Sequence, residues 1–136
     1  MIGKLNHVAI VVPNLNEAKF KYKDILGATV SDIEHLEVHG VSIIFVNLGN
    51  TKIELMHPLG ENSPIKKFLE KNPNGAIHHV CYEVKSIKNS ISLLKEKGIE
   101  IIGDGSPSIG AHGKPVIFLK PKQFDGTLIE LEEVWS

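Results

Sequence analysis

The chain contains the same succession of sequence patterns twice, and this repeat is the feature that most limits how it can fold. Residues 6–27, NHVAIVVPNLNEAKFKYKDILG, show a strand pattern, a turn at Pro13, an amphipathic helical pattern and a stop at Gly27. Residues 78–98, HHVCYEVKSIKNSISLLKEKG, repeat that order with Ser86 as the predicted N-cap. The sequence therefore predicts two copies of one small module.

Each copy continues into strand-like runs. VSIIFVNLG and TKIELMH follow in the first copy, and KPVIFLKP and TLIELEE follow in the second. We therefore predict an α+β fold of two tandem βαβββ modules in a single domain, residues 1–136. Module 1 covers about residues 4–58, module 2 covers about residues 76–134, and residues 59–75 form a connecting helix and loop.

Apolar residues at helical spacing predict the buried side of each helix. In module 1 these residues are Leu15, Ala18, Tyr22, Ile25 and Leu26, and in module 2 they are Ile87, Ile91 and Leu94. The connecting helix is predicted to begin at Ser63 and Pro64.

Aligning the two modules places ligand-type side chains at matching positions. His79 aligns with His7 when the apolar residues that follow each histidine are matched, and the two IEL segments align Glu130 with Glu54. Because successive strand residues point to opposite faces, these four residues share the face away from the helices. His78 points to the other face, so only one of the two adjacent histidines belongs to this site.

A single histidine or glutamate on a strand is usually structural, but four at matching positions favour convergence on a metal ion. Two neutral imidazoles and two carboxylates balance the charge of a divalent cation. Their mixed nitrogen and oxygen donors suit Zn²⁺, Co²⁺, Ni²⁺, Mn²⁺ or Fe²⁺. We therefore predict one divalent cation per chain, bound by His7, Glu54, His79 and Glu130.

Composition excludes several classes of partner. A formal net charge of -1 with 23% charged residues gives no electrostatic reason to expect nucleic-acid binding. No apolar stretch approaches the roughly 20 residues of a membrane helix, and no signal peptide is recognisable at the N-terminus. The only cysteine, Cys81, excludes an internal disulfide and suits a reducing compartment. We expect a soluble, cytoplasmic protein without nucleic-acid or membrane partners.

Other polar residues are weaker candidates. His112 lies in the glycine-flanked segment GAHGKP, which is typical of a loop that closes over a substrate or is simply exposed. His35, His39 and His57 are expected to be surface residues without a counterpart in the other module. Three lysines lie near predicted turns, where they are expected either to contact phosphates or only to increase solubility: Lys114, Lys120 and Lys122.

The duplicated plan with its four ligand-type residues resembles the vicinal oxygen chelate superfamily (glyoxalase, bleomycin resistance and dioxygenase proteins). This resemblance implies a curved, partly closed mixed sheet with the helices outside and one metal ion. LNHVAIVVPNL, HGVSIIFVNLGNTKIELMHPLGENSPI, AIHHVCYEV and GAHGKPVIFLKPK are most similar to the methylmalonyl-CoA epimerases. Glyoxalase I (lactoylglutathione lyase) has the same ligand order, so it is the alternative, and a metal-free binding module of the same fold is a third possibility.

The resemblance implies epimerisation of an acyl-CoA by removal of an α-proton, with Co²⁺ favoured over Ni²⁺, Zn²⁺ or Mn²⁺ and a homodimer as the expected assembly. By its place in the motif, Glu130 is implied to be both a ligand and the general base, and Glu54 is a second catalytic candidate. The strand VSIIFV contains no acidic residue, so the second proton carrier is Glu54, His112 or water.

Overall fold

The computed structural model describes residues 1–134, in which nine strands and three α-helices form two compact units. One unit comprises residues 7–78, and the other comprises residues 1–6 and the chain from His79 onward. The strands are β1 (Leu5–Val11), β2 (Thr29–Val30), β3 (Glu34–Leu36), β4 (Val41–Asn47), β5 (Lys52–Pro58), β6 (Ala76–Val84), β7 (Ser108–Ile109), β8 (Pro115–Leu119) and β9 (Ile129–Glu133). The helices are α1 (Leu15–Phe20), α2 (Lys66–Lys71) and α3 (Ile87–Glu96), with a π-helical turn at Lys21–Ile25 and a 3-10 turn at Pro121–Gln123.

The unit of residues 7–78 has the strand order β2-β4-β5-β1. Strands β4 and β5 are antiparallel, β1 is parallel to β5, and β2 and β3 pair with opposite ends of β4 as one interrupted edge strand. Helix α1 covers one face of these strands, where Leu15 and Ala18 pack with Ile44, Val46 and Leu55. Burial of such aliphatic side chains contributes about 1.5–3 kcal/mol each, so this packing fixes which residues face the helix.

The other unit has the equivalent strand order β6-β9-β8-β7. Strand β6 is parallel to β9, and β9 is antiparallel to β8. Helix α3 packs Ile87 and Leu94 against Ile117, Leu119 and Leu131. As predicted, α3 follows an N-cap at Ser86, whose Oγ accepts the Asn89 N–H at 3.1 Å. The α+β class and the repeated βαβββ order are therefore confirmed.

The first helix differs from its prediction. The α-helix ends at Phe20 and continues as a π-helical turn over Lys21–Ile25, so the helical period changes there. Ile25 and Leu26 are consequently 65% and 67% exposed, and their predicted place on the buried side is wrong. Leu15, Ala18 and Tyr22 do pack against the strands, because they precede or begin the change of period.

The connector also begins later than predicted. Helix α2 starts at Lys66, since the Ser63 Oγ donates to the Gly40 carbonyl at 2.6 Å and ties this segment to the preceding turn. Among residues 1–134, no helix is long and apolar enough to cross a membrane.

A glycine at the end of the connector allows a close backbone approach. Gly75 has a φ of +89°, and a Cβ there would lie 2.8 Å from the Val11 carbonyl oxygen. Gly75→Ala is therefore expected to lower the free energy of unfolding by about 2–4 kcal/mol, from positive-φ strain plus displacement of β1. Gly49→Ala is the control, because Gly49 has a φ of +87° with no atom within 4 Å. Denaturant unfolding of both variants measures the difference, and equal losses would contradict the role of the contact.

Candidate active site

The first pair of ligand-type residues lies on two neighbouring parallel strands. His7 on β1 and Glu54 on β5 are 2% and 3% exposed, and the His7 Nε2 is 3.9 Å from a Glu54 carboxylate oxygen. Glu54 is in register with Ala9, which follows His7 on the same face of β1. The spacing of the strands thus brings a buried imidazole and a buried carboxylate together.

The second pair has the same construction. His79 on β6 and Glu130 on β9 are 5% and 7% exposed, and the His79 Nε2 is 3.1 Å from a Glu130 carboxylate oxygen. Glu130 is in register with Cys81, the next residue after His79 on the same face of β6. In both pairs, therefore, the glutamate lies opposite the residue two positions after the histidine.

The alternation used in the sequence prediction explains these placements. In both parallel strand pairs the intervening residues face the helices: Leu55 packs beneath α1 and Leu131 beneath α3. His78 points away from His79 as predicted, and its ring contacts Phe68 edge to face at a centroid distance of 4.8 Å. His78 is thus part of the packing around α2.

Each glutamate also has a phenylalanine on the neighbouring antiparallel strand. Phe45 is in register with Glu54, and Phe118 is in register with Glu130. The Phe118 ring meets the His79 ring edge to face at 5.5 Å, so it limits the orientation of that imidazole. The sequence analysis did not consider these aromatic residues, although the repeated segments SIIF and PVIF contain the signal.

A second histidine–glutamate contact lies in the unit that contains His79. The His112 Nδ1 is 2.8 Å from a carboxylate oxygen of Glu132, whose side chain is 3% exposed. His112 is therefore not an exposed loop residue. The sequence analysis missed Glu132, although alternation along IELEE puts it on the same face as Glu130.

The structure also corrects the treatment of His39. Phe45 and Phe118 occupy matching positions, and each is preceded six residues earlier by a histidine followed by glycine, in HGVSIIF and HGKPVIF. His39 is therefore the counterpart of His112, and the prediction that it has none is wrong. The glycines that follow, Gly40 and Gly113, have φ values of +68° and +75°, so both turns use the same left-handed conformation.

The remaining candidates lie apart from these pairs. His35 is exposed and forms a hydrogen bond with Ser42, and the His57 Nδ1 donates to the Val12 carbonyl at 2.9 Å.

The three candidate lysines also lie apart from the histidine–glutamate pairs. Lys120 pairs with Glu100 at 2.9 Å, and its hydrogen bond lowers the pKa of the Glu100 carboxyl below the ordinary value. Lys114 is half-buried and Lys122 is exposed. The structure gives none of the three lysines a specific ligand-binding role.

The chemistry of the four donors fits a divalent cation. Each pair offers one imidazole nitrogen and one carboxylate, and all four side chains are buried. A buried carboxylate is costly unless a positive charge compensates it, and a neutral imidazole supplies no such charge. A divalent cation would compensate such a carboxylate while accepting its nitrogen and oxygen ligands.

The chain is similar to a known protein family along most of its length. Residues 6–118 match the family described as the Glyoxalase/Bleomycin resistance protein/Dioxygenase superfamily. The ethylmalonyl-CoA/methylmalonyl-CoA epimerase of Cereibacter sphaeroides is 59% identical over 134 residues, which cover 98% of this chain and 100% of that protein. The chain belongs to the methylmalonyl-CoA epimerase family.

Two further relatives support this assignment to the methylmalonyl-CoA epimerase family. The mitochondrial methylmalonyl-CoA epimerase of Homo sapiens is 56% identical over 97% of this chain and 74% of that protein. A solved structure of a methylmalonyl-CoA epimerase in complex with methylmalonyl-CoA and NH4+ superposes with a TM-score of 0.86 at 25% identity, covering 100% of this chain and 97% of that chain. The predicted glyoxalase-like fold is therefore confirmed.

Proposed function

We propose that this protein interconverts the (R) and (S) forms of methylmalonyl-CoA. The observation that carries the proposal is the 59% identity with an ethylmalonyl-CoA/methylmalonyl-CoA epimerase over that protein's whole length. The solved epimerase with bound methylmalonyl-CoA has the same fold and supports an acyl-CoA as the substrate class. The reaction removes the proton from the carbon between a carboxylate and a thioester carbonyl and returns a proton to the opposite face.

Glu130 is the general base in this proposal. Its carboxylate lies 3.1 Å from the His79 Nε2 and is 7% exposed, so it is oriented and largely shielded from water. The Phe118 ring against His79 restricts the movement of that imidazole. A carboxylate held in this way can accept an α-proton and hold it near the carbon from which it came.

His7, Glu54, His79 and Glu130 together bind one divalent cation in this proposal. A cation held there would supply Lewis-acid stabilisation of the negative charge that develops in the enolate. Glu54 contributes the second carboxylate of the centre, buried 3.9 Å from the His7 Nε2. Co²⁺ is the favoured cation, with Ni²⁺, Zn²⁺ and Mn²⁺ as alternatives. A cytoplasmic location and a homodimeric assembly stay predictions from the sequence.

The competing function is that of glyoxalase I, because the same four ligands suit its reaction. Both reactions remove a proton beside a carbonyl, so the residues around the ligands must distinguish the substrates. We expect kcat/KM for methylmalonyl-CoA to exceed that for the hemithioacetal of glutathione and methylglyoxal by at least roughly a hundredfold, or about 2.7 kcal/mol of transition-state stabilisation.

Side-by-side assays of the protein loaded with Co²⁺, Ni²⁺ or Zn²⁺ measure this ratio. A ratio of the opposite sense would favour glyoxalase I. Binding of the acyl-CoA without turnover of either compound would favour a binding module. The cation content of each loaded protein is measured in parallel, so that poor loading is not mistaken for lack of activity.

A further inference from the structure

The turn that carries His112 packs against Glu130. The Gly110 N–H donates to the Lys114 carbonyl at 2.9 Å and closes the turn. A Cβ on Gly110 would lie 3.7 Å from a Glu130 carboxylate oxygen and 2.9 Å from the Val116 side chain. A side chain at Gly110 would therefore clash with Val116, whereas the Glu130 carboxylate lies at ordinary contact distance, so this turn lies beside the proposed base.

Comparison of the two modules shows that the His112 and Glu132 pair breaks the internal repeat. Glu132 lies in register with Glu83 and Val116. The matching residue of module 1 is Met56, which lies in register with Val11 and Ile43. In module 1 these three residues belong to a buried apolar cluster. In module 2 the equivalent position and its neighbour on the adjacent strand are both glutamates, Glu132 and Glu83.

This polar arrangement is not explained by stability. Two carboxylates directly opposite each other on one face of a sheet destabilise it. Here each carboxylate has a partner of its own: Glu132 contacts His112, and Glu83 accepts a hydrogen bond of 2.9 Å from the Asn6 side-chain amide. Replacing a buried ion pair by apolar residues is often neutral or stabilises a protein by about 1–4 kcal/mol. Module 1 shows that the fold accepts the apolar alternative, so the polar pair points to a role in function.

The hydrogen bond defines which nitrogen of His112 carries the proton. A carboxylate only accepts hydrogen bonds, so the Nδ1 carries the proton that is donated to Glu132. The Nε2 is then the atom that can lose or gain a proton. A carboxylate that orients an imidazole in this way is the usual support of a histidine in acid–base catalysis.

We propose that His112 is the second proton carrier of the epimerisation and that Glu132 is its positioning residue; this inference rests on the proposed function. Glu130 accepts the α-proton, and the C–H electron pair is delocalised into the enolate. The Nε2–H of the His112 imidazolium donates its proton to the α-carbon from the opposite face. Glu130 is then protonated and His112 is neutral, and the reverse reaction or exchange with water restores the starting form.

The test measures inversion and deuterium incorporation separately, using a single epimer of methylmalonyl-CoA in heavy water. His112→Asn keeps an amide N–H for Glu132 but has no group that carries a proton at neutral pH. Inversion is expected to fall on the order of 10² to 10⁴. The epimer whose α-proton faces Glu130 is expected to exchange that proton for deuterium at close to the parent rate. His35→Asn is the matched control, since the His35 Nδ1 also bonds with a polar side chain, the Ser42 hydroxyl at 2.7 Å.

Glu132 is tested with two substitutions. Glu132→Met introduces the residue of module 1 but leaves His112 without its carboxylate, so some loss of thermal stability is expected. It should slow inversion more than deuterium exchange, as His112→Asn does, and by more than the loss of stability accounts for. Glu132→Gln retains an oxygen that accepts the Nδ1–H and is expected to restore part of kcat. The double variant with His112→Asn and Glu132→Met should be no slower than His112→Asn alone, because Glu132 acts only through His112.

Several results would overturn the proposal. The first is an unchanged rate of inversion in His112→Asn, and the second is an equal loss of deuterium exchange and inversion in that variant. The third is that Glu54→Gln, instead of His112→Asn, loses inversion while it keeps deuterium exchange. Loss of stability in Glu132→Met that parallels its loss of activity would make the pair structural. Failure of the parent protein to invert methylmalonyl-CoA would instead refute the proposed function, so the parent is measured first.

Discussion

Glu130→Gln is expected to lose epimerase activity on the order of 10² to 10⁴, the range for removal of a positioned general base. The amide has the shape of the carboxylate but cannot accept a proton at neutral pH. In contrast to His112→Asn, this variant should lose deuterium exchange of the epimer whose α-proton faces Glu130. Cation affinity should fall as well, so the parent and the variant are compared at saturating Co²⁺.

A suitable control is Glu100→Gln, the same change in an exposed ion pair with Lys120. Exposed pairs contribute about 0–1 kcal/mol, so this variant should keep both stability and activity. If folded, cation-saturated Glu130→Gln exchanges the α-proton as fast as the parent, another group is the base.

Replacement of either paired histidine should strongly weaken cation binding. A four-ligand site of nitrogen and sulfur donors typically binds Zn²⁺ with about 10–16 kcal/mol, which corresponds to about 2.5–4 kcal/mol for each ligand. His7→Ala and His79→Ala are therefore each expected to lower the affinity on the order of 10² to 10³. Equal effects in the two variants would agree with one site that uses both modules.

Calorimetric titration of the cation-free proteins with Co²⁺ measures these affinities without relying on activity. His35→Ala removes an exposed histidine and should bind as the parent does. Glu54→Ala and Glu130→Ala complete the set, with one cation per chain expected for the parent. Half-occupancy of His7→Ala and His79→Ala, at the Co²⁺ concentration that half-saturates the parent, would exclude the proposed ligands.

The alignment of the repeats correctly placed the two histidines and the two glutamates on the strand face away from the helices, because strands alternate strictly. Once the apolar residues of β1 and β6 are assigned to the helix side, His7 and His79 must lie on the other side. The same holds for Glu54 and Glu130 within IEL. The register between strands was not predictable from alternation alone, since it depends on the lengths and turns of the intervening segments.

The errors arose where the local period changes or where contacts are distant in sequence. Ile25 and Leu26 were assigned to a regular helix, and the π-helical turn rotates them into solvent. The contact of His112 with Glu132 joins residues 20 positions apart, across strand β8 and the turn before β9. Glu132 also belongs to the acidic run at the end of the last strand, so its burial was not evident from composition.

The most direct test of the central claim is a titration of the cation-free protein with Co²⁺ while the inversion of a single epimer of methylmalonyl-CoA is followed. The account predicts that activity rises in proportion to the cation added and reaches its maximum at one Co²⁺ per chain. His7→Ala and His79→Ala should require far higher Co²⁺ concentrations. Full epimerase activity before any cation is added, retained in the presence of a strong chelator, would contradict the account.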